Sequence, residues 1–329
     1  MRHKLLLIAT LAGTTAWAQD IVSARAGLIH YMEGEVRVNN VLVEQTGDQF
    51  LSMKQGDTLS TSEGRAEILL NAGTYLRIGD GSSFRLDSAD LGDTRLAVLS
   101  GTMIVEVADL PKDTAVTLAL NGSNIALRKR GLYEFSAGAA GNIRVYDGEL
   151  ALNASNALPI KVSKGREIAF NALSAGPGKF DIEDTTELYN WSARRARYVA
   201  QANQAAALAL YNGGSRPTTS SSLIPMGGYG GVWLWNSFYG MYTYLPTRGY
   251  GYSPYGIVLY SPQTVYIRTA PVMSSSGFDA GQSRQAAAAP AYSGASSSAG
   301  VGTVAAPAAA APAASTPNTG GGGDAGRRR

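Results

Sequence analysis

The side chains with the most chemical potential in this sequence are carboxylates at turns. Gly47-Asp48, Gly56-Asp57, Gly79-Asp80, Gly92-Asp93 and Asp147-Gly148 each fall where one short apolar run ends and another begins. Two such carboxyls within about 10 Å of each other across a cleft could hydrolyse a glycosidic bond, one as acid and one as base or nucleophile. The same dipeptides are also turn signals, because glycine supplies positive φ and aspartate bonds to backbone N–H groups two residues on. Their recurrence at equivalent places favours backbone shaping for Asp57, Asp80 and Asp147. Asp80-Gly81-Ser82-Ser83 is oxygen-rich, which raises calcium, but it lacks the alternating carboxylates of a calcium loop.

Other catalytic chemistry is poorly supplied. The 329 residues contain no cysteine and two histidines, His3 and His30. A Ser-His-Asp arrangement would have to use His30, and a zinc site would lack its usual ligands. His30 stands in "AGLIHYMEGEV", among strand-like residues, which favours a structural role. The sequence predicts no catalytic residue, no cofactor and no metal.

The address comes from the first residues. Arg2, His3 and Lys4, the apolar run from Leu5 to Ala12 and the small-x-small site Ala16-Trp17-Ala18 describe a cleavable secretory leader over residues 1–18. Its apolar run is too short to span a bilayer, and no later stretch is long and apolar enough. With no cysteine there is no disulfide and no lipid-bearing thiol, which suits export into a bacterial envelope, periplasmic or outer-surface, in a Gram-negative cell. The 28 basic and 25 acidic residues fall to 26 and 25 once the leader is removed, a net of +1. A nucleic-acid binder needs a basic face, and none is expected here. Arg128-Lys129-Arg130 and Arg327-Arg328-Arg329 read as solvated clusters, the second able to touch acidic envelope polymers.

Short strands dominate from Gly27 to Phe170. "GEVRV" and "VLVE" flank Asn39-Asn40, two residues that tolerate positive φ, which predicts a tight hairpin. "AEILL", "TYLRI", "SFRL", "TMIVEV", "AVTLAL", "LYEFS" and "NIRVYDG" follow, bounded by Gly, Asp, Asn or Ser. Strands at this spacing with no interleaved helices predict a mainly β, antiparallel-rich sandwich or short β-solenoid, followed by one α-helix and a disordered C-terminal tail.

In order and spacing, "GDTLSTSEGRAEILLNAGTYLRIGDGSSFRL" resembles the FecR domain: a Gly-Asp, an apolar-x-Thr step, a Gly-x-Ala, an apolar strand, a Gly turn and a further strand. Those positions are Gly56, Asp57, Leu59, Thr61, Gly64, Ala66, Ile68, Leu70, Gly73 and Leu76. Gly101, Arg130-Gly131, Val145 with Gly148, and Gly165 continue the resemblance, with Leu132 where the family usually has Thr and Ala72-Gly73 where Asp-Gly is common. The resemblance implies an exported all-β module over residues 19–180 that contacts other macromolecules; it carries over no catalytic residue. Well-known relatives are periplasmic parts of anti-sigma regulators, but the membrane helix and the sigma-binding and TonB-contacting segments of such proteins have no counterpart here. Envelope signalling is therefore an alternative.

Residues 181–212 change period. Asp184 to Glu187 forms a start signal, Leu188, Trp191, Tyr198 and Ala202 approximate one face, and Arg194, Arg195 and Arg197 fall mainly on others. The expected helix either packs on the β domain through Trp191 or offers a basic face to a partner. After a linker at 213–226, residues 227–268 alternate Tyr, Trp and Phe with Gly, Ser and Pro. In "VWLWNSF", Trp233 and Trp235 should share one strand face and Val232 and Leu234 the other. Such a face could dock on the β domain, stack on glycan, peptidoglycan included, or insert at a membrane interface, and Trp233, Trp235, Tyr239, Tyr242 and Tyr244 are its candidate contact residues. Residues 269–329 are Ala, Pro, Ser and Gly, too poor in large apolar groups to fold. The expected function is a non-enzymatic binding or scaffolding module whose partner is an envelope protein or polysaccharide.

Overall fold

The computed structural model describes residues 25–44, 50–154, 158–212, 223–224 and 231–269. All belong to the first of two units of the chain, Met1–Met273; the second, Ser274–Arg329, lies outside the described residues, as do the expected leader, most of the linker and the tail beyond Thr269.

Alternating apolar residues produce the expected mainly β architecture. The strands are β1 (Leu28–Val38), β2 (Val41–Leu42), β3 (Thr58–Leu69), β4 (Thr74–Ile78), β5 (Ser83–Ala89), β6 (Asp93–Ser100) and β7 (Thr102–Val107). There follow β8 (Ala115–Leu120), β9 (Ser123–Leu127), β10 (Gly131–Ser136), β11 (Asn142–Asp147), β12 (Glu149–Asn153), β13 (Ile160–Ser163), β14 (Arg166–Ala169) and β15 (Gly178–Lys179). They join in one mixed sheet along the path β13-β12-β9-β8-β6-β5-β3-β4-β7-β10-β11-β14-β15, with β1 pairing both β3 and β2. Among the described residues, β6 and β8 run parallel and the other pairs run antiparallel.

Strand β3 is where the sheet divides. Its first residues, Thr58–Ser60, pair with β5, and its last, Ala66–Leu69, pair with β4. The two arms that leave it enclose one core. Leu59, Ile68, Leu76, Phe84, Leu96, Val105, Leu118, Ile125, Phe135, Val145 and Leu150 point into it, fully or almost fully buried. Each such side chain contributes about 1.5–3 kcal/mol relative to exposure. The period of two then sends the intervening residues to the opposite face, where the functional questions arise.

The turns follow the sequence signals. Asn39 and Asn40 take φ of 51° and 65° and close the β1–β2 hairpin. Gly56, Gly73, Gly148 and Gly165 all take positive φ, between 70° and 90°. Gly64 has another reason: a Cβ there would lie 2.7 Å from the Glu33 carbonyl oxygen, because β1 and β3 press together at Gly34 and Gly64. At Gly131 a Cβ would meet the Asp147 carbonyl at 2.3 Å.

Helix α1 (Glu187–Asn212) crosses the outer face of the sheet. The aromatic segment then forms β17 (Gly231–Asn236) and β18 (Met241–Pro246), with β16 (Leu223–Ile224) paired to β17 from within the expected linker. The hairpin partners β19 (Tyr250–Tyr252) and β20 (Val258–Tyr260) and the short α2 (Pro262–Thr269) complete it, so a second α-helix joins the single one expected. The faces of β17 divide as the alternation requires. Trp233 and Trp235 turn toward Tyr75, Phe50 and Tyr242, whereas Val232 and Leu234 turn toward Ala206, Ala207, Tyr260 and Val265.

Candidate functional site

One transverse row of cross-strand neighbours on the outer face carries five charged residues. Registers place Glu67 beside Arg77, Arg77 beside Ile104, Ile104 beside Glu134, Glu134 beside Arg144 and Arg144 beside Glu167. Directly opposed opposite charges stabilise a sheet, so the order along the row is itself sensible. Ile104 divides it into two halves with different surroundings.

The first half is covered. Arg77 Nε donates to Glu67 Oε2 at 2.7 Å and Arg77 Nη1 to Glu106. From α1, Arg195 Nη2 reaches Glu67 Oε1 at 2.9 Å with its guanidinium 3.8 Å from the Tyr31 ring centroid. From β1, His30 Nδ1 meets the same Glu67 oxygen at 2.8 Å, while its Nε2 accepts the Tyr242 N–H at 3.0 Å. Because Nε2 accepts, the proton resides on Nδ1, and neutral His30 donates to the carboxylate. Ser253 Oγ donates to Glu106. Burial lowers the His30 pKa, an effect its bond to Glu67 only partly offsets. Burial alone would raise Glu67, but Arg195, Arg77 and His30 outweigh it and hold the carboxyl well below the ordinary range. Such a network ties β1, β3, β4, β7, α1 and the aromatic segment together around the Glu67 carboxylate, although Arg77 Nη2 and Arg195 Nε are buried without a hydrogen-bond partner. His30 is thus structural in its geometry.

The expected contact aromatics belong largely to this covered region, which corrects the expectation for three of them. Trp233, Tyr242 and Tyr244 are buried, and Trp235 and Tyr239 are half-buried. Trp233 packs edge-on to Tyr75 at 5.0 Å, and Tyr244 donates its hydroxyl to Asp109 at 2.7 Å. The cause is that both faces of the hairpin find apolar partners, the sheet on one side and α1 on the other. Asn203 fixes the arrangement: its Nδ2 donates to the Tyr244 and Tyr260 carbonyls, and its Oδ1 accepts the Tyr260 N–H at 2.7 Å. At the tip of the β17–β18 hairpin Phe238 is exposed, at 86%, and beyond the hairpin Tyr250 and Tyr252 are exposed as well.

The second half of the row opens on a cleft of about 390 Å³ between the sheet and the start of α1. Arg65, Asp80, Thr102, Glu134, Ser136, Asn142 and Arg144 line the sheet side, and Thr186, Glu187 and Leu188 the helix side. Thr186 serves two elements: its hydroxyl accepts the Tyr189 N–H, capping α1, and donates to Glu134 Oε2 at 2.7 Å. Arg144, although beside Glu134 in register, turns its Nε to Glu167 Oε2 at 3.0 Å, and Asn142 donates to that same oxygen. Arg65 pairs with Glu187 and lies 3.6 Å from Asp80. Glu134 is 3% exposed, and burial raises its carboxyl pKa, with Thr186 and Arg144 offsetting this only in part. A buried carboxyl without a direct cationic partner at the wall of an open cleft marks a candidate site.

Gly47-Asp48 lies outside the described residues, and the turn carboxylates Asp57, Asp80 and Asp147 do not converge. Asp57 accepts the Lys54 N–H at 2.7 Å and the Asn39 amide at 2.8 Å, holding the loop before β3. Asp147 pairs with Lys164 near the end of β11, and Asp80 alone of the three lines the cleft. Among the described residues no group of three or more His, Cys, Asp or Glu could hold a metal ion. Sequence reasoning missed Glu134, Arg144, Glu67 and Arg77. The signal was present as one charge inside each apolar strand, in "AEILL", "YLRI", "YEFS" and "NIRV". It also sent Arg195 outward and Tyr198 inward, whereas Arg195 is buried and Tyr198 is 55% exposed.

The fold and site define a mainly β protein capped by a helix and an aromatic hairpin, with a polar cleft at one end of the cap. No protein-family model matches the sequence, and no curated protein matches it. Among solved structures, the chain is similar to two crystal structures, at 2.50 Å and 1.65 Å resolution, of a protein from Parabacteroides distasonis assigned as an anti-sigma factor. Identity is 12% and 11%, the TM-score is 0.33 in each case, and the match covers 38% of this chain and 61% of that one.

Proposed function

We propose that the protein is an exported, non-enzymatic binding or scaffolding module of a Gram-negative envelope that holds a macromolecular partner at the cleft between β10, β11 and the start of α1. The observation that carries this reading is Glu134, a buried carboxyl whose strand neighbour Arg144 is engaged elsewhere and whose side chain lines an open cavity. Charged groups left incompletely compensated in a cleft are placed there against stability and so point to a ligand. The leader-like residues 1–18 and the resemblance of residues 19–180 to the FecR domain support export and macromolecular contact. With the aromatic strands occupied internally, the contact surface expected of them moves to the cleft.

The experiment is cross-linking of the mature chain in envelope extracts, with a photoreactive residue at Asn142 and, as control, at Asp87 on the exposed side of β5. A partner captured from position 142 and not from 87, and lost in Glu134→Gln, supports the reading. Identical capture from both positions removes the cleft from it. Hydrolysis of an envelope glycan by the protein that disappears in Glu134→Gln would overturn the non-enzymatic part.

A further inference from the structure

Resting on the cleft as the binding surface, we propose that its ligand group is cationic: a lysine or arginine side chain of a partner peptide, seated against Glu134. The guanidinium groups in the cleft are already engaged, Arg65 with Glu187 and Asp80, and Arg144 with Glu167. An incoming anion would therefore have to displace an existing pair, and it would meet the carboxylates of Asp80, Glu134 and Glu187 on the way. An incoming cation meets Glu134, whose carboxylate is bonded, among the described residues, by the Thr186 hydroxyl alone. Asp80 and Glu187 retain 56% and 80% side-chain exposure and can accept further bonds at the mouth.

The carboxylates do not converge as a metal ion requires, so the cation must be one that is hydrogen-bonded from separate sides, which is what ammonium and guanidinium groups do. Among the described residues no aromatic ring lines the cleft, so a sugar ring finds no stacking platform in them. Ser136 and Thr102, linked through their hydroxyls at 3.4 Å, with Asn142 beside them, provide neutral partners for the peptide backbone that carries the side chain.

Proton linkage gives this ligand a signature. Burial disfavours ionised Glu134, and a bound cation favours it, so affinity rises with pH as the carboxyl ionises. The charged groups that face it are Arg144 from β11, Asp184 and Glu187 at the start of α1, Arg65 from β3 and Asp80 after β4, with Glu167 beyond Arg144.

The test uses the mature chain and two peptides, acetyl-Gly-Ser-Lys-Ser-Gly-amide and the same peptide with acetyl-lysine, titrated at pH 7.5 and pH 5. The lysine peptide should bind at least about tenfold more tightly than its acetylated form, and Glu134→Gln should remove about that factor at pH 7.5. Affinity of the unaltered protein should fall toward that of the variant at pH 5. Ser136→Lys, which offers the cleft an ammonium of its own, should also block binding, and thermal melts of both variants confirm folding. Equal binding of the two peptides, or affinity unchanged in Glu134→Gln, overturns the proposal. Absence of peptide binding beside Glu134-dependent capture in the cross-linking experiment overturns the ligand class alone, and loss of both overturns the proposed function as well. A glucosamine oligomer run in parallel reassigns the cation to an amino sugar if it binds where the peptide does not, and that result also overturns the peptide claim.

Discussion

Glu67 and Glu134 are the same residue type, on the same face of the same sheet, in the same transverse row, and both are almost fully buried. Their surroundings give them opposite electrostatics. Three groups arriving from three elements, His30, Arg77 and Arg195, hold Glu67 ionised, so that its burial is compensated. Glu134 receives one hydroxyl, and its pKa rises. What separates a structural carboxylate from a candidate functional one is therefore what covers it, and the cover comes from parts of the chain far away in sequence, Arg195 and the hairpin around Tyr242.

The sharpest way to break the comparison is to remove the compensated charge. Glu67→Ala leaves Arg77, Arg195 and His30 without their shared partner, and breaking a buried pair in this way costs about 3–5 kcal/mol, to be read from urea unfolding. Asn203→Ala should follow at about 1–3 kcal/mol, because two carbonyls and one N–H of β18 and β20 lose their partner inside the cap. A smaller gap would mean that the hairpin is held by apolar packing alone.

Acid should act on the covered half first. His30 has a folded pKa lowered from 6.5, so its contribution is fully present above that value and is lost as pH falls below it toward the folded pKa. Glu67 follows the same sign lower down, present above 4.5 and lost as pH falls toward its own depressed value. Glu134 has the opposite sign: its raised pKa favours folding below 4.5 and loses that contribution as pH rises through the folded value. Stability measured from pH 7.5 to pH 5 should therefore decline, and His30→Asn, which keeps a hydrogen-bonding side chain but not the titration, should flatten the upper part of that decline. The smallest effect belongs to Glu134→Gln at neutral pH, a change within about 1 kcal/mol and in the stabilising direction.

The inner core was legible because a strict period of two identifies inward residues without knowledge of partners, as Leu76, Phe84, Val105 and Phe135 illustrate. Asn39-Asn40 and Gly56-Asp57 were legible because their backbone needs are local, whereas Gly79 and Gly92 make their turns without the positive φ expected of them and Gly47-Asp48 lies outside the described residues. The outer face was not. A single Glu or Arg between apolar strand residues reads as a solvent-facing position, and only the cap turns that position into an interior one. Arg195 reads outward for the same reason, although it lies one helical turn beyond Trp191 on the buried stripe. The glycine- and tyrosine-rich composition around β17 and β18 reads equally as a surface or as filler, since aromatic residues suit both, and what decides is that each face of the hairpin finds a complementary layer.

The most direct measurement compares Glu67→Gln and Glu134→Gln by urea unfolding at pH 7. The two are isosteric changes in one row. Glu67→Gln should lose about 3 kcal/mol or more, because buried Arg195 loses its counter-charge and buried Arg77 keeps only Glu106 of its two, while Glu134→Gln should lose nothing and melt at or above the unaltered protein. Equal losses in the two variants, or a larger loss at Glu134, would contradict the division of the row into a structural and a functional half.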